Sequence, residues 1–418
     1  MKRIVIFTAS YPYDKAREAT FIEPELEELE KNHDVTIVPL RKGGEIRRTR
    51  EGLKIETGFC EMASRKFQSV LRIMTKRIFW RLFLKEMTAN PRVIGSRSCL
   101  KKLFIHLYYC LNLKCWLSKQ ENGAFKNGAG QEEAVYYSYW FDSAVTALCL
   151  LRESGFEGKV ITRAHGFDLY EFRHARNYIP CRKMALEGLD KVVFISGNGL
   201  KYMKETYPEF TGKYCFFPMG IKDTVELSKP STGSKFRIVS CSMMVPVKRV
   251  DMIARAVAML GKADPNCEWE WTHIGDGPER EKIEQVCREN REGKVRISLK
   301  GDMSNDEVLE FYKKEQIDLY IILSSSEGRP VALMEALGHG LPVVATDVGG
   351  VGEMVRDGVN GVLLPADLSV EEAARAITAL KNSPEKLAGM RKESRTAFRE
   401  CADAEVNFGR FSAFLESL

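Results

Sequence analysis

The chain has 418 residues, 44% of them hydrophobic and 29% charged, and a formal net charge of +6. A chain of this length and apolar content is expected to form two or three well-packed domains, which excludes bulk disorder and small disulfide-stapled scaffolds. Its 11 cysteines, an odd number without a C-x-x-C pair, read as free, mostly buried thiols of a reducing cytoplasm.

The run Lys2–Thr8 is apolar and short, as expected of a first core strand and not of a secretion signal. A helix over 20–31 and a strand over 34–40 follow. Between Arg65 and Lys119 there are 13 Lys or Arg against one acid, Glu86, so this segment is +12 and the remainder −6. The same stretch is rich in Phe, Trp, Tyr, Leu and Ile. It suits an anionic membrane surface; the other reading is a helical face in water with an apolar core side, and nucleic acid is not expected as a partner. Its longest apolar run, Leu103–Leu113, is too short to span a bilayer, so an integral membrane protein is excluded. A Gly- and Asn-rich connector fills 121–131. Strands are expected at 134–138, 159–163, 191–195 and 214–217, with a helix at 142–153.

Around 221–234 the chain turns polar, with Pro230, Gly233 and several Ser, and reads as an interdomain linker. A second series of strands then begins near Phe236, Trp269, Val295, Ile317, Val343 and Val362. Continuously apolar strands alternating with helices point to parallel sheets. The expectation is α/β: two tandem Rossmann-like, doubly wound domains facing across a cleft, 1–221 and 222–400. A C-terminal helix, 401–418, is expected to pack back on the first domain.

The most informative stretch is 317–350, which reads strand, loop, helix, strand, loop. Ser324, Ser325, Ser326, Glu327 and Gly328 stand where the first strand ends, followed by Arg329. Pro330 suits the first helical position, where its missing N–H costs nothing. Free amides at Val331 and Ala332, with the helix dipole behind them, make an anion site suited to a diphosphate. Gly328 admits a ligand close to the backbone. Glu327 and Glu335, eight positions apart, can face the same side; a carboxylate accepts two hydrogen bonds, as vicinal sugar hydroxyls offer. Glu335 lies among Leu333, Met334, Ala336 and Leu337, where a charge needs a reason. Ser304 and Glu307 read as a helix capping box without chemistry.

Glu327-x7-Glu335, followed by Gly-Leu-Pro-Val-Val-Ala-Thr-Asp-Val-Gly-Gly, resembles the donor-binding signature of the GT-B fold, family 4 glycosyltransferases, of the retaining type with two glutamates. Gly275-Asp276-Gly277-Pro278-Glu279, Arg163-Ala164-His165-Gly166-Phe167-Asp168, Val245-Pro246-Val247-Lys248 and Pro218-Met219-Gly220-Ile221 resemble further motifs of that family, in its order. Two departures stand out: Met243 where the family has Arg, and Arg249 where it commonly has Gly. The loop Thr8-Ala9-Ser10-Tyr11-Pro12 lacks the double glycine of many members.

The resemblance implies a retaining transferase using a UDP- or GDP-linked sugar, with a saccharide or lipid-linked acceptor of bacterial surface polysaccharide assembly. In it Glu335 holds the ribose. Glu327 and the backbone from Gly328 through Arg329 and Pro330 to Ala332 hold sugar and phosphate, and Gly275, Asp276 and Gly277 lie beside the nucleotide. Lys248 and Arg249 steady the departing diphosphate, and His165 contacts the sugar. No Asp-x-Asp pair or metal-spaced His/Cys cluster occurs, so no metal is expected. A cytoplasmic enzyme, peripheral on the membrane if the basic segment binds lipid, is the expectation. Two other readings are a GT-B enzyme of another reaction, such as a nucleotide-sugar epimerase, and a non-catalytic polyanion-binding module.

Overall fold

The computed structural model describes residues 1–14, 18–47, 52–64, 70, 73–119, 134–289 and 295–418. The connector 121–131 and residues 65–69 and 71–72 of the basic segment lie outside the described residues. The chain divides into two compact units, Met1–Pro218 with Phe408–Leu418, and Met219–Asn407.

The first unit carries strands β1 (Lys2–Thr8), β2 (His33–Pro39), β3 (Lys54–Ile55), β4 (Val135–Ser138), β5 (Lys159–Ala164), β6 (Lys191–Phe194) and β7 (Tyr214–Phe216). They form a parallel sheet in the order β3-β2-β1-β4-β5-β6-β7, with Ile4 opposite both Val35 and Val135. Its helices are α1 (Ala19–Leu29), α2 (Gly58–Ser64), α3 (Arg77–Ala89), α4 (Arg97–Leu117), α5 (Ser143–Arg152), α6 (Arg182–Gly188) and α7 (Gly197–Thr206).

The second unit carries β8 (Lys235–Cys241), β9 (Glu268–Ile274), β10 (Val295–Leu299), β11 (Leu319–Ile322), β12 (Val343–Thr346) and β13 (Gly361–Leu364). They too are parallel, ordered β10-β9-β8-β11-β12-β13. Its helices are α8 (Val250–Ala263), α9 (Arg280–Glu289), α10 (Asn305–Lys314), α11 (Val331–Gly338), α12 (Val370–Lys381) and α13 (Pro384–Cys401). The last helix, α14 (Ala404–Ser417), begins in this unit and ends in the first.

Both faces of each sheet are covered, which is why the strands read as unbroken apolar runs. Ile4 and Ile6 pack with Ile22 and Leu26 of α1 and with Phe411 and Leu415 of α14. Val5 and Phe7, pointing the other way, pack with Leu103, Leu107 and Leu111 of α4. The run Leu103–Leu113 is therefore part of a core helix. Phe411 also seals the fully buried Arg163, whose guanidinium lies 4.5 Å from that ring and 3.2 Å from Glu25. In each sheet the chain turns back between two neighbouring strands, β1 and β4 in the first unit and β8 and β11 in the second. Such switch points leave a crevice at the carboxyl ends of the strands, where ligands bind.

The segment 221–234, expected to be a linker, is stitched along the second unit. The Ser228 amide donates to the His339 carbonyl at 3.0 Å and the Ser231 amide to Asp318 at 2.8 Å. In the basic region, α3 buries Phe79, Leu82 and Glu86. It exposes Trp80 (46%) and Leu84 (57%) beside the exposed Arg77, Arg81 and Lys85. Among the described residues no helix is long and apolar enough to cross a membrane.

Candidate active site

The switch point of the second unit brings two loops together. After β8 the chain runs through Ser242–Arg249 into α8, and after β11 it runs through Leu323–Pro330 into α11. The Ser325 amide joins them by donating to the Val247 carbonyl at 2.8 Å. Across this junction the Lys248 ammonium donates to Glu327 Oε1 at 2.6 Å. Glu327 is only 5% exposed, so its carboxylate is turned inward and held by a charge-assisted bond.

The start of α11 differs by one position from the expected boundary. Pro330 is the N-cap, with extended backbone (φ −70°, ψ 120°), and the helix begins at Val331. A proline fits there because it cannot donate and favours this φ. The first-turn amides of Val331, Ala332 and Leu333 have no intrahelical acceptor. Gly328, Val331 and Ala332 are partly exposed, so this positive end is open to a ligand.

Gly349 explains part of the signature that follows. Its φ is +58°, and a Cβ there would stand 1.9 Å from the Glu327 carbonyl oxygen. Gly350 then donates its amide to the Gly328 carbonyl at 2.9 Å. The paired glycines thus clamp the Glu327 loop from beneath, at a distance no side chain permits.

Glu335 lies in the second turn of α11, 5% exposed, and Asn305 Nδ2 donates to its Oε1 at 2.6 Å. Burial pushes its carboxyl up to about 7, opposed by that hydrogen bond. The site thus holds a carboxylate poised to gain from hydroxyl donors. Asn305 belongs to the segment set aside as a capping box. The box is real, with Ser304 and Glu307 bonded reciprocally, but Asn305, one of the two residues between them, touches the second glutamate. Sequence spacing could not reveal that contact, because 30 positions separate the partners.

Two basic side chains are committed within the protein: that of Arg249, expected at the diphosphate, and that of Arg329, whose backbone was expected to hold the ligand. Arg249 donates to the carbonyls of Leu323 (2.6 Å), Ser324 (2.9 Å) and Ala366 (2.8 Å). It therefore braces the end of β11 instead of presenting its guanidinium to a diphosphate. These bonds also support its left-handed backbone (φ 47°, ψ 43°), a conformation that otherwise favours glycine. Arg329 is buried, donating to the Cys401 carbonyl and lying 3.4 Å from Glu353.

Gly275 and Gly277 serve close packing. A Cβ at Gly275 (φ +128°) would stand 2.0 Å from the Ser242 carbonyl oxygen, and one at Gly277 2.5 Å from that of Met244. The Asp276 carboxylate accepts from the Gly277 amide and from Arg280, both at 2.7 Å.

His165 belongs to the first unit, beyond the end of β5. Its ring lies 4.3 Å from that of Trp140 and also touches Tyr139 and Phe21. Asp168 fixes the loop, accepting the amides of Phe141 (2.9 Å), His165 (2.9 Å) and Gly166 (3.1 Å). Burial alone would raise the Asp168 carboxyl, but its bonds to His165 and these amides hold it below the ordinary value. Asp168 also stands 3.5 Å from His165 Nδ1, while Nε2 is buried with no hydrogen-bond partner among the described residues.

Glu18 escaped sequence reasoning. Its carboxylate, 4% exposed, accepts the amides of Ala9 (3.3 Å), Ser10 (2.6 Å) and Tyr11 (2.7 Å) and the Trp140 indole N–H. Successive amides at the end of a strand form an anion nest. Here the nest is filled by the chain's own carboxylate, in a loop without the double glycine.

The two Rossmann-like units define the GT-B fold class. Residues 224–397, within the second unit, match the family model described as Glycosyl transferases group 1. A curated relative, the GtfA subunit of a UDP-N-acetylglucosamine–peptide N-acetylglucosaminyltransferase from Streptococcus parasanguinis, is 30% identical over 43% of this chain. That match spans 35% of the relative's own length. A putative colanic acid biosynthesis glycosyltransferase, WcaL of Escherichia coli K12, is 23% identical over 74% of this chain and 78% of its own. Among solved structures, sucrose-phosphate synthase from Thermosynechococcus elongatus superposes with a TM-score of 0.70 at 14% identity, covering 100% of this chain and 99% of that one.

Proposed function

We propose that the protein is a retaining, metal-independent glycosyltransferase of family 4. It moves a sugar from a UDP- or GDP-linked donor to a saccharide or lipid-linked acceptor of surface polysaccharide synthesis. One observation carries this reading: the Lys248–Glu327 pair at 2.6 Å stands at the β8/β11 switch point, where the open helix start of Val331 and Ala332 also lies. The match of residues 224–397 supports the transferase class. The names of the GtfA and WcaL relatives support a UDP-sugar donor and a polysaccharide product.

In this reading the diphosphate lies on the α11 amides, and Lys248 shifts toward it from Glu327. The helix dipole and the ammonium then neutralise charge as the bond between the anomeric carbon and the phosphate oxygen breaks. Glu335 accepts the ribose hydroxyls. Glu327, freed from full engagement with Lys248, accepts sugar hydroxyls. His165 Nε2 contacts the transferred sugar. The acceptor hydroxyl attacks the same face of the anomeric carbon, and its proton passes to the leaving phosphate oxygen. Arg249 and Arg329 act as braces. The exposed Trp80 and Leu84, flanked by Arg77, Arg81 and Lys85, rest the first unit on an anionic membrane surface.

The test is nucleotide release from a panel of UDP- and GDP-sugars, with and without EDTA. Release of UDP or GDP that persists in EDTA is expected. Activity that EDTA abolishes and magnesium restores would refute metal independence, and no release from any donor, whatever acceptor is added, would refute the class.

A further inference from the structure

At the switch point of the first unit, the carboxyl ends of β1, β2, β4 and β5 surround a cavity of ≈ 370 Å³. It is of a size that holds a saccharide unit. Tyr109, Trp140 and Phe167 line it, Phe167 with 67% of its surface exposed. Aromatic faces of this kind take the C–H faces of sugar rings.

The charges in the wall are unequal in what they have left to offer. The carboxylates are already engaged: Asp168 accepts three backbone amides, and Asp142 accepts the Ala144 amide at the start of α5, at 2.9 Å. His106 and His174 are bonded to Thr146 and to the Phe167 carbonyl. Two cations remain. Lys102 donates once, to the Tyr178 carbonyl at 2.8 Å, leaving further protons of its ammonium. Arg41 lies with its guanidinium 4.9 Å over the Tyr109 ring and has no hydrogen bond to the described residues. Neither forms an ion pair among them. Burial, with the charge of the fully buried Arg182 nearby, holds the Lys102 ammonium down at about 8, although Glu171 pulls the other way. The cavity therefore sets two cations with unspent donors, and two carboxylates engaged by backbone amides, beside aromatic faces.

We propose that this cavity is the acceptor site and takes a saccharide bearing an anionic group, phosphate or carboxylate, which Arg41 and Lys102 recognise. The proposal rests on the glycosyltransferase reading and names the substrate class of that enzyme. A bidentate guanidinium and an ammonium suit either anion.

Calorimetric titration of the full-length protein with glucose 1-phosphate, glucuronate, neutral glucose and inorganic phosphate tests this, with UDP and GDP titrated in parallel. Glucose 1-phosphate or glucuronate should bind at least tenfold more tightly than glucose and than inorganic phosphate, the preferred one identifying the anion. The double variant Arg41→Ala, Lys102→Ala should lose that preference while keeping nucleotide affinity. The single variants serve if the double variant does not fold. Glucose binding as tightly as the anionic sugars, inorganic phosphate binding as tightly as either, or variants that retain the preference would overturn the proposal. Failure of UDP and GDP to bind the wild type would fall instead on the transferase reading, leaving an anionic-saccharide site that stands on its own titrations.

Discussion

Replacing Glu335 by Gln separates folding from function. The Glu335 carboxyl sits at about 7 in the folded chain against an ordinary 4.5, because burial removes its hydration. A gap of that size corresponds to roughly 3 kcal/mol at 1.36 kcal/mol per pH unit, an upper figure that structural relaxation reduces. The folded state binds this proton more tightly than the unfolded chain does. Stability from this group is therefore full below pH 4.5 and is lost as pH rises to about 7. A neutral glutamine of the same shape escapes the loss, and its carbonyl oxygen still accepts from Asn305. Glu335→Gln is thus expected to stabilise the protein by about 1–3 kcal/mol at pH 8, a gain that vanishes near pH 4.5. For a unit of this size that is a melting shift of roughly 3–10 °C. The same variant should lose at least tenfold in UDP or GDP affinity, because the amide offers a donor where the ribose needs an acceptor. Thermal melts at pH 8 and pH 5, with and without nucleotide, read both effects. A variant that is less stable than wild type at pH 8, or that binds nucleotide unchanged, would refute the reasoning.

Lys248→Ala should lower kcat by about 10²–10³ with little change in sugar recognition, read by steady-state kinetics on the preferred donor. Glu18→Gln puts an amide donor against the N–H groups of Ala9, Ser10, Tyr11 and Trp140, and should cost about 1–3 kcal/mol and disturb the Trp140–His165 stack. Denaturant melts and tryptophan fluorescence check it, and unchanged values would show the nest to be unimportant. Trp80→Ser with Leu84→Ser should abolish flotation with phosphatidylglycerol vesicles while leaving turnover of a soluble acceptor intact; if the wild type does not float either, α3 simply faces water.

Much of the fold was legible because buried parallel strands announce themselves. Each of the six strands of the second series lies where an apolar run begins, from Phe236 to Val362. The Glu327 loop and α11 were legible for the same reason, since strand end, glycine, proline and apolar helix follow one another locally. What stayed hidden depends on partners distant in sequence. Arg249 was expected to face a ligand, but three carbonyls, contributed by the β11 end and by Ala366, capture it. Asn305 gains its importance only when α10 meets α11. Glu18 looks like an ordinary helix-start acid until the loop after β1 folds over it. Pro330 missed its position by one residue, because a proline satisfies the steric needs of both the cap and the first turn.

Titration of UDP and GDP into the wild type and the Lys248→Ala variant, each compared with the corresponding monophosphate, tests the central claim most directly. The account predicts saturable binding of one diphosphate, weaker binding of its monophosphate, and loss of that difference in the variant. Equal binding of monophosphate and diphosphate, or a variant that keeps the difference, would contradict it.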